Sequence, residues 1–335
     1  MAKGDEAKRV IGLDLGATKI LGGVVTPTGN IVGKAKLSTP VADGPQVVID
    51  AMAEVARRAA ARADMRLSDA LAVGVGSPGP LQPETGLVYH APNLGWKDVP
   101  LGQRLSDALG LPVFVYNDVD SGTYGEFKAG AGRGVSDLVG IFPGSGIGGG
   151  IILDGKLRTG FRGAAGEVGH MIIVAGGPVC GCGKHGCAEA VASRLAIERD
   201  IRLAVENGRK SVITEMVDVD RDRITSGMLA RALEQNDRLV MEIMHRAASL
   251  LGILAADVVN LIDVERVVFG GGLIEACGHW MMPYIRDSAY EHFVNKRDMH
   301  QVQLVEAELG DFAGVVGAAM LARVQMRKES AALTL

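Results

Sequence analysis

The chain has 335 residues, of which 47% are apolar, so it is long enough for two domains with substantial cores, and a disordered chain is excluded. A net charge of −4, with no basic run interleaved with aromatics, leaves no electrostatic footprint for nucleic acid, and a small-molecule partner is expected. Residues 1–10 are charged and lack a signal peptide's apolar stretch, no apolar run approaches membrane-spanning length, and three of the four cysteines fall within eight positions; together these predict a cytoplasmic chain with no membrane partner.

Residues 10–15 and 19–25 read as strands joined by a glycine-bearing turn, and Thr26-Pro-Thr-Gly-Asn30 leads into a third strand ending near Leu37. The first turn, Asp14-Leu-Gly16-Ala17-Thr18-Lys19, sets a carboxylate at a strand end beside small residues. Backbone amides there could approach phosphate oxygens while Asp14 holds hydrated Mg²⁺. A plain hairpin turn is the competing reading. Residues 46–63 and 100–109 have helical spacing, whereas 71–76 and 112–116 are short apolar strands, giving an alternating α/β architecture.

Asn93, within Ala91-Pro-Asn-Leu-Gly-Trp96, either aims its amide at a hydroxyl-rich ligand or simply forms a turn. Asn117-Asp118 directly follows a strand and precedes a helical run to Lys128. One of the pair can cap that helix, but a carboxylate at a strand end can also take a proton from an attacking alcohol, and Asp118 is chosen for that role. Asp120 and Glu126 read as helix-face or packing groups.

Residues 138–142 and 147–153 repeat the opening pattern, with Gly144-Ser145-Gly146 at the turn, and Gly-Gly pairs recur at 22–23 and 149–150. The two halves read as a duplication with two phosphate contacts. Next come Glu167-Val-Gly-His170 and Cys180-Gly-Cys182-Gly-Lys-His-Gly-Cys187-Ala-Glu189. Three thiols separated by Gly181, Gly183 and Gly186 can fold back on one ion, because glycine accepts the positive φ such turns require. With His170 as fourth ligand the shell is closed, as in structural zinc sites. The alternatives are ordinary core cysteines or a disulfide pair, and His185 is a rival ligand.

Beyond Glu189 the spacing turns helical over 191–206, 225–235 and 237–258, until a strand at 266–269 runs into Gly270-Gly271-Gly272 ahead of a helix. That position, outside the carboxyl end of a strand, is read as a third nucleotide contact. Cys277 reads as a buried hydrophobe. A short strand at 301–305 and a helix at 312–324, opened by the small residues of Asp311-Phe-Ala-Gly314-Val-Val-Gly317 for close packing, precede a frayed tail at 329–335.

These motifs, together with Gly76-Ser-Pro-Gly79, give the chain a resemblance that spans nearly its whole length: it resembles the ROK group (repressors, open reading frames, kinases) of actin-like sugar kinases, and among these the bacterial ATP-dependent glucokinases. The resemblance implies an actin-like (ribonuclease H-like) two-lobed α/β ATPase fold with a cleft between lobes. The smaller N-terminal lobe is expected over 1–117, with a helix near 312–325 packing back onto it, and the larger helix-rich lobe over 118–335. It implies transfer of a phosphoryl group from ATP to a hexose, most directly glucose, with Asp118 as base and closure of the lobes supplying alignment. Gly79, Asn93, Asn117, Glu167, His170 and Glu189 are implied to bind sugar hydroxyls. Asp14, Gly16, Ala17, Thr18, Lys19, Gly144, Ser145, Gly146, Gly270, Gly271 and Gly272 are implied to bind nucleotide with Mg²⁺, and His170, Cys180, Cys182 and Cys187 to hold structural Zn²⁺. A homodimer or homotetramer is implied as well. Ser145 stands where a threonine is usual, keeping the hydroxyl, and Ala188 replaces a common leucine. The family's sugar-responsive repressors carry a winged helix-turn-helix ahead of the sugar-binding half, and residues before Val10 are too few to hold one.

Overall fold

Strand β1 (Val10–Leu15) sends alternate side chains into two different helical layers, as the two-residue period of a strand requires. Ile11, Leu13 and Leu15 join a core with α1 (Pro45–Arg62) and α2 (Leu101–Leu109), whereas Val10 joins one with the last helix, α10 (Ala313–Ala332). The computed structural model describes residues 8–219 and 221–332. Residues 1–7 and the end of the expected frayed tail, 333–335, lie outside them; the tail's residues 329–332 are helical.

Around β1 are β2 (Lys19–Val25), β3 (Ile31–Ser38), β4 (Val73–Ser77) and β8 (Val113–Asn117), in the order β3-β2-β1-β4-β8. β1, β4 and β8 run parallel, while β2 and β3 form antiparallel hairpins. A separate small antiparallel sheet of β5 (Leu81–Gln82), β6 (Leu87–Ala91) and β7 (Trp96–Pro100) follows β4. The α10 face of the first sheet is lined with glycine for a steric reason. A Cβ on Gly12 would lie 1.9 Å from the Val315 carbonyl, and one on Gly74 would lie 2.0 Å from that of Ala318. Helix α3 (Asp118–Ala129) packs on α10 in the same way, since a Cβ on Gly317 would lie 1.6 Å from the Ser121 carbonyl. The small residues opening α10 are thus a packing device.

A second five-stranded sheet has the order β11-β10-β9-β12-β13, with β9 (Leu138–Pro143), β10 (Ile147–Leu153), β11 (Lys156–Leu157), β12 (Arg266–Phe269) and β13 (Gln303–Glu306). Each sheet places its first strand in the middle, a hairpin on one side and two later strands on the other, so the duplication read from the glycine turns is a duplication of topology. The helices of this half are α4 (Ala188–Ala192), α5 (Arg194–Glu206), α6 (Ile213–Met216), α7 (Ser226–Glu234), α8 (Arg238–Ile262) and α9 (Gly272–His292). The helix expected over 191–206 is two: Ser193 ends α4, and its hydroxyl accepts from the Ala196 amide to cap α5. α8 is long and apolar enough to cross a membrane by composition alone, yet 61% of its most apolar stretch is buried and it packs on α9, α4 and α5 as a core helix.

Contacts divide the chain into two compact units. The first takes the chain through Val135, Gly150–Ala165 and the chain from Asp311; the second takes Ser136–Gly149 and Gly166–Gly310. The boundary expected at 117/118 falls inside the first unit, because α3 is locked to α10.

Candidate active site and metal centre

In the first unit the candidate residues lie at the carboxyl ends of the parallel strands. Asp14 pairs in register with Gly76 of β4, and Gly76 with Tyr116 of β8, so Asp14 and the Asn117-Asp118 pair share one edge of the sheet. Asn117 is the cap of α3: its Oδ1 accepts from the amides of Val119 (2.9 Å) and Asp120 (3.1 Å). Asp118 is therefore not needed as the capping residue. It is half-buried, and burial raises its pKa against the opposing effect of the Val119 and Asp118 amides and the Asn117 side chain. Burial, and then the Asp118 charge, push Asp14 up to about 7, with Lys19 pulling the other way. The turn between them is pinned by Thr39, whose hydroxyl donates to the Gly16 carbonyl at 2.6 Å. Thr18 is exposed, Gly16 and Ala17 are partly so, and Lys19 is ion-paired with Asp311.

Gly79 has φ +86°, and a Cβ there would lie 2.1 Å from the His90 carbonyl. That close approach seats the turn after β4 against the end of β6, from which the single helical turn Pro92–Leu94 presents exposed Asn93. Gly95 in the left-handed region closes that turn. Glu126, expected to be a packing group, is buried, with its Oε2 accepting from the Ala131 amide at 2.9 Å.

In the second unit one ligand-type atom from each of His170, Cys180, Cys182 and Cys187 lies within 4.8 Å of the others. The His170 Nδ1 to Cys180 Sγ distance is 3.5 Å and the Cys182 to Cys187 Sγ distance is 3.7 Å. Tetrahedral zinc, with bonds of about 2.3 Å to sulfur and 2.0–2.1 Å to nitrogen, would set these separations at about 3.5 and 3.8 Å. The donor set therefore fits the ion. Two positions out of the expected three supply the turn geometry: Gly183 (φ +86°) and Gly186 (φ +77°, where a Cβ would lie 1.7 Å from the Val174 carbonyl). Gly181 does not have positive φ, and a Cβ there would meet nothing. His185 stays out of the cluster, its Nδ1 3.1 Å from the Gly177 carbonyl. Burial pushes the Cys180 thiol up to about 12, a penalty that a coordinated dication would overturn. Cys277 is fully buried with its thiol also raised to about 12, as expected of a core residue.

The hydroxyl-binding candidates of this unit gather at the same cluster. His170 Nε2 is 3.9 Å from Glu167 Oε2, and Glu189 Oε1 is 3.8 Å from Cys180 Sγ. The other Glu189 oxygen accepts from the Ile147 amide at 3.0 Å, tying the cluster to the Gly144-Ser145-Gly146 turn. That turn ends β9, and Gly270-Gly271-Gly272 ends its parallel neighbour β12, so the two nucleotide candidates of this unit are side by side. A Cβ on Gly144 or Gly272 would meet nothing within 4 Å, whereas the Gly-Gly pairs at 22–23 and 149–150 are packed against neighbouring side chains.

Sequence reasoning missed two groups of residues. Asp311 was read only as part of a packing motif, yet it pairs with Lys19 of the candidate phosphate turn. Arg194 and Arg223 both donate to Ser145, with Glu198 accepting from Arg194, and the i,i+4 spacing of Arg194 and Glu198 was their one local signal.

Residues 10–325 match the ROK family model. The chain is 36% identical over 315 residues to a glucokinase of Streptomyces coelicolor, covering 93% of this chain and 97% of that one. A solved ROK family glucokinase from Streptomyces griseus, in complex with glucose and AMPPNP, superposes with TM-score 0.81 at 34% identity, covering 94% of this chain and 99% of that one. A xylose repressor of Caldicellulosiruptor bescii is 31% identical over 78% of this chain and 65% of its own length. The chain belongs to the ROK family and has its actin-like two-lobed ATPase fold.

Proposed function

We propose that the chain is an ATP-dependent hexose kinase of the glucokinase type, converting glucose to glucose 6-phosphate in the cytoplasm as a homodimer or homotetramer. The observation that carries the chemistry is the division of labour at the end of β8: Asn117 caps α3, which leaves half-buried Asp118 available as a base at the sheet edge it shares with Asp14. The sugar's primary hydroxyl gives its proton to Asp118 as its oxygen attacks the terminal phosphorus of ATP. An oxygen–phosphorus bond forms, the bond from that phosphorus to the bridging oxygen breaks, and ADP leaves. A carboxylate whose pKa is raised by burial is better matched to that proton than an exposed one.

Phosphoryl transfer asks for positioning and charge neutralisation more than covalent work. Asp14 would hold Mg²⁺, which supplies neutralising charge when bound. Backbone amides of 16–19, 144–146 and 270–272 would line the phosphates. Gly79, Asn93, Asn117, Glu167, His170 and Glu189 would bind the sugar hydroxyls. Because His170 Nδ1 faces Cys180, Nε2 is the nitrogen left for a hydroxyl. His170, Cys180, Cys182 and Cys187 would hold zinc, whose role is to stiffen the segment that carries these groups.

The test is a coupled ADP-release assay over glucose, fructose, mannose and N-acetylhexosamines. Glucose is expected to give the highest kcat/KM. A higher value for another sugar would move the substrate, and no ADP release with any of them would refute the kinase.

A further inference from the structure

Two guanidinium groups converge on one hydroxyl in the second unit. Arg194, 5% exposed at the start of α5, donates through Nη1 to Glu198 Oε2 (2.7 Å) and to the Ile224 carbonyl (2.8 Å), and through Nη2 to Ser145 Oγ (3.1 Å). Exposed Arg223 donates its own Nη2 to the same oxygen at 3.0 Å. A hydroxyl has two acceptor sites and one proton. Both acceptor sites of Ser145 are filled by cations, so the group is left with only its proton to offer and becomes a polarised donor.

The charge around it is unbalanced. Arg194, Arg202 and Arg223 gather here, and Glu198 answers the first two by accepting from both. The Asp222 carboxylate accepts instead from the Asp218 amide. Among the described residues the Ser145 hydroxyl is the one hydrogen-bond partner of Arg223, and no carboxylate among them forms an ion pair with it. The space beside the turn is open, since a Cβ on Gly144 would meet nothing within 4 Å. A donor hydroxyl, an exposed guanidinium with no ion-pair partner among the described residues and an open glycine turn together suit a multiply charged anion.

We propose that Arg223 and Ser145 form a subsite for the terminal phosphate groups of a nucleoside triphosphate, with Arg194 as the positioning residue that fixes Ser145 as a donor. This rests on the nucleotide role proposed above for the turn at Gly144, Ser145 and Gly146. Arg223 meets a phosphoryl oxygen directly, and no covalent step is involved.

The experiment is calorimetric titration of the full chain with ATP and, as a phosphate-free control, adenosine. Arg223 is on the surface, so Arg223→Ala folds without the risk attached to buried Arg194. It is expected to weaken ATP binding about tenfold, as for a lost charge-assisted hydrogen bond, with adenosine affinity unchanged and Arg223→Lys recovering part of the loss. Ser145→Ala is expected to lose a similar factor. ATP affinity within twofold of wild type in Arg223→Ala, an equal loss for adenosine, or a wild-type chain that binds no ATP would overturn the proposal. Failure of the hexose assay with the ATP difference intact would instead strike the kinase reading alone.

Discussion

The first unit holds its candidate groups by its core, and the second gathers its own around a cluster of four metal-ligand-type side chains. Asp14, Asn117 and Asp118 sit at the ends of strands whose sheet is covered on both faces, and each is fixed by where its strand stops. Glu167, His170 and the three cysteines sit in a stretch, 158–187, whose regular structure amounts to the one helical turn Val168–His170 and two isolated bridges. The first arrangement is paid for by apolar burial; the second has the donor set of a metal site, and the zinc proposed for it would supply the missing restraint. Placement by a core should survive solution changes that would dissolve placement by coordination.

Metal removal is the largest way to break that contrast. Chelation is expected to abolish turnover and to open 171–187 to protease, with cleavage elsewhere unchanged and zinc content falling from one per chain to none. Full turnover by a metal-free chain, with that segment still protected, would erase the distinction. Next in size is Asp118→Asn, expected to cut kcat by ~10² to 10⁴ while thermal stability stays near wild type, because Asn117 retains the cap. Near-normal turnover would move the base elsewhere.

Gly317→Ala probes the other side of the comparison. Its Cβ would lie 1.6 Å from a backbone carbonyl of α3, and the variant should lose about 3 kcal/mol by denaturant titration with zinc content unchanged. A loss below about 1 kcal/mol would mean that α3 and α10 can part without cost.

A further contrast is a pair of opposite pH slopes. Asp14, raised from 3.8 to about 7, binds more protons folded than unfolded, so its contribution is full below 3.8 and is lost as pH rises towards 7. Burial acts to raise Glu198, but hydrogen bonds from Arg202, the Ile224 amide and Arg194 outweigh it and hold the carboxyl below 4.5. Its contribution is present above 4.5 and is lost as pH falls through its lowered value. Asp14→Asn should therefore remove a decline of stability between pH 4 and 7, and Glu198→Gln a decline below pH 4.5. Denaturant titrations of both variants across pH 3 to 8 check the signs.

The sequence was most readable where the physics is local. Short apolar runs mark β1 and β12, and the cysteine spacing marks the cluster, because neighbours in the chain are neighbours in space. β5–β7 escaped because their strands are two to five residues long and β7 carries Lys97 and Asp98 in mid-strand. The break at Ser193 escaped because apolar spacing continues across it, and only a side-chain cap reveals the new start. Ser145 meets Arg194 and Arg223 across 49 and 78 positions, and no periodicity announces such a meeting. Lys19 and Asp311 are 292 apart, which is why a residue read as packing turned out to pair with a residue of the proposed phosphate turn.

The place of α10 bears on how the molecule is made. The helix that covers one face of β1 follows it at a distance of roughly 300 residues, so the nascent chain must carry Val10, Leu21 and Val25 uncovered while those residues are translated, ~15–60 s at ~5–20 residues per second. That face of β1 is thus sealed long after it is made, and during synthesis it is a natural station for a chaperone.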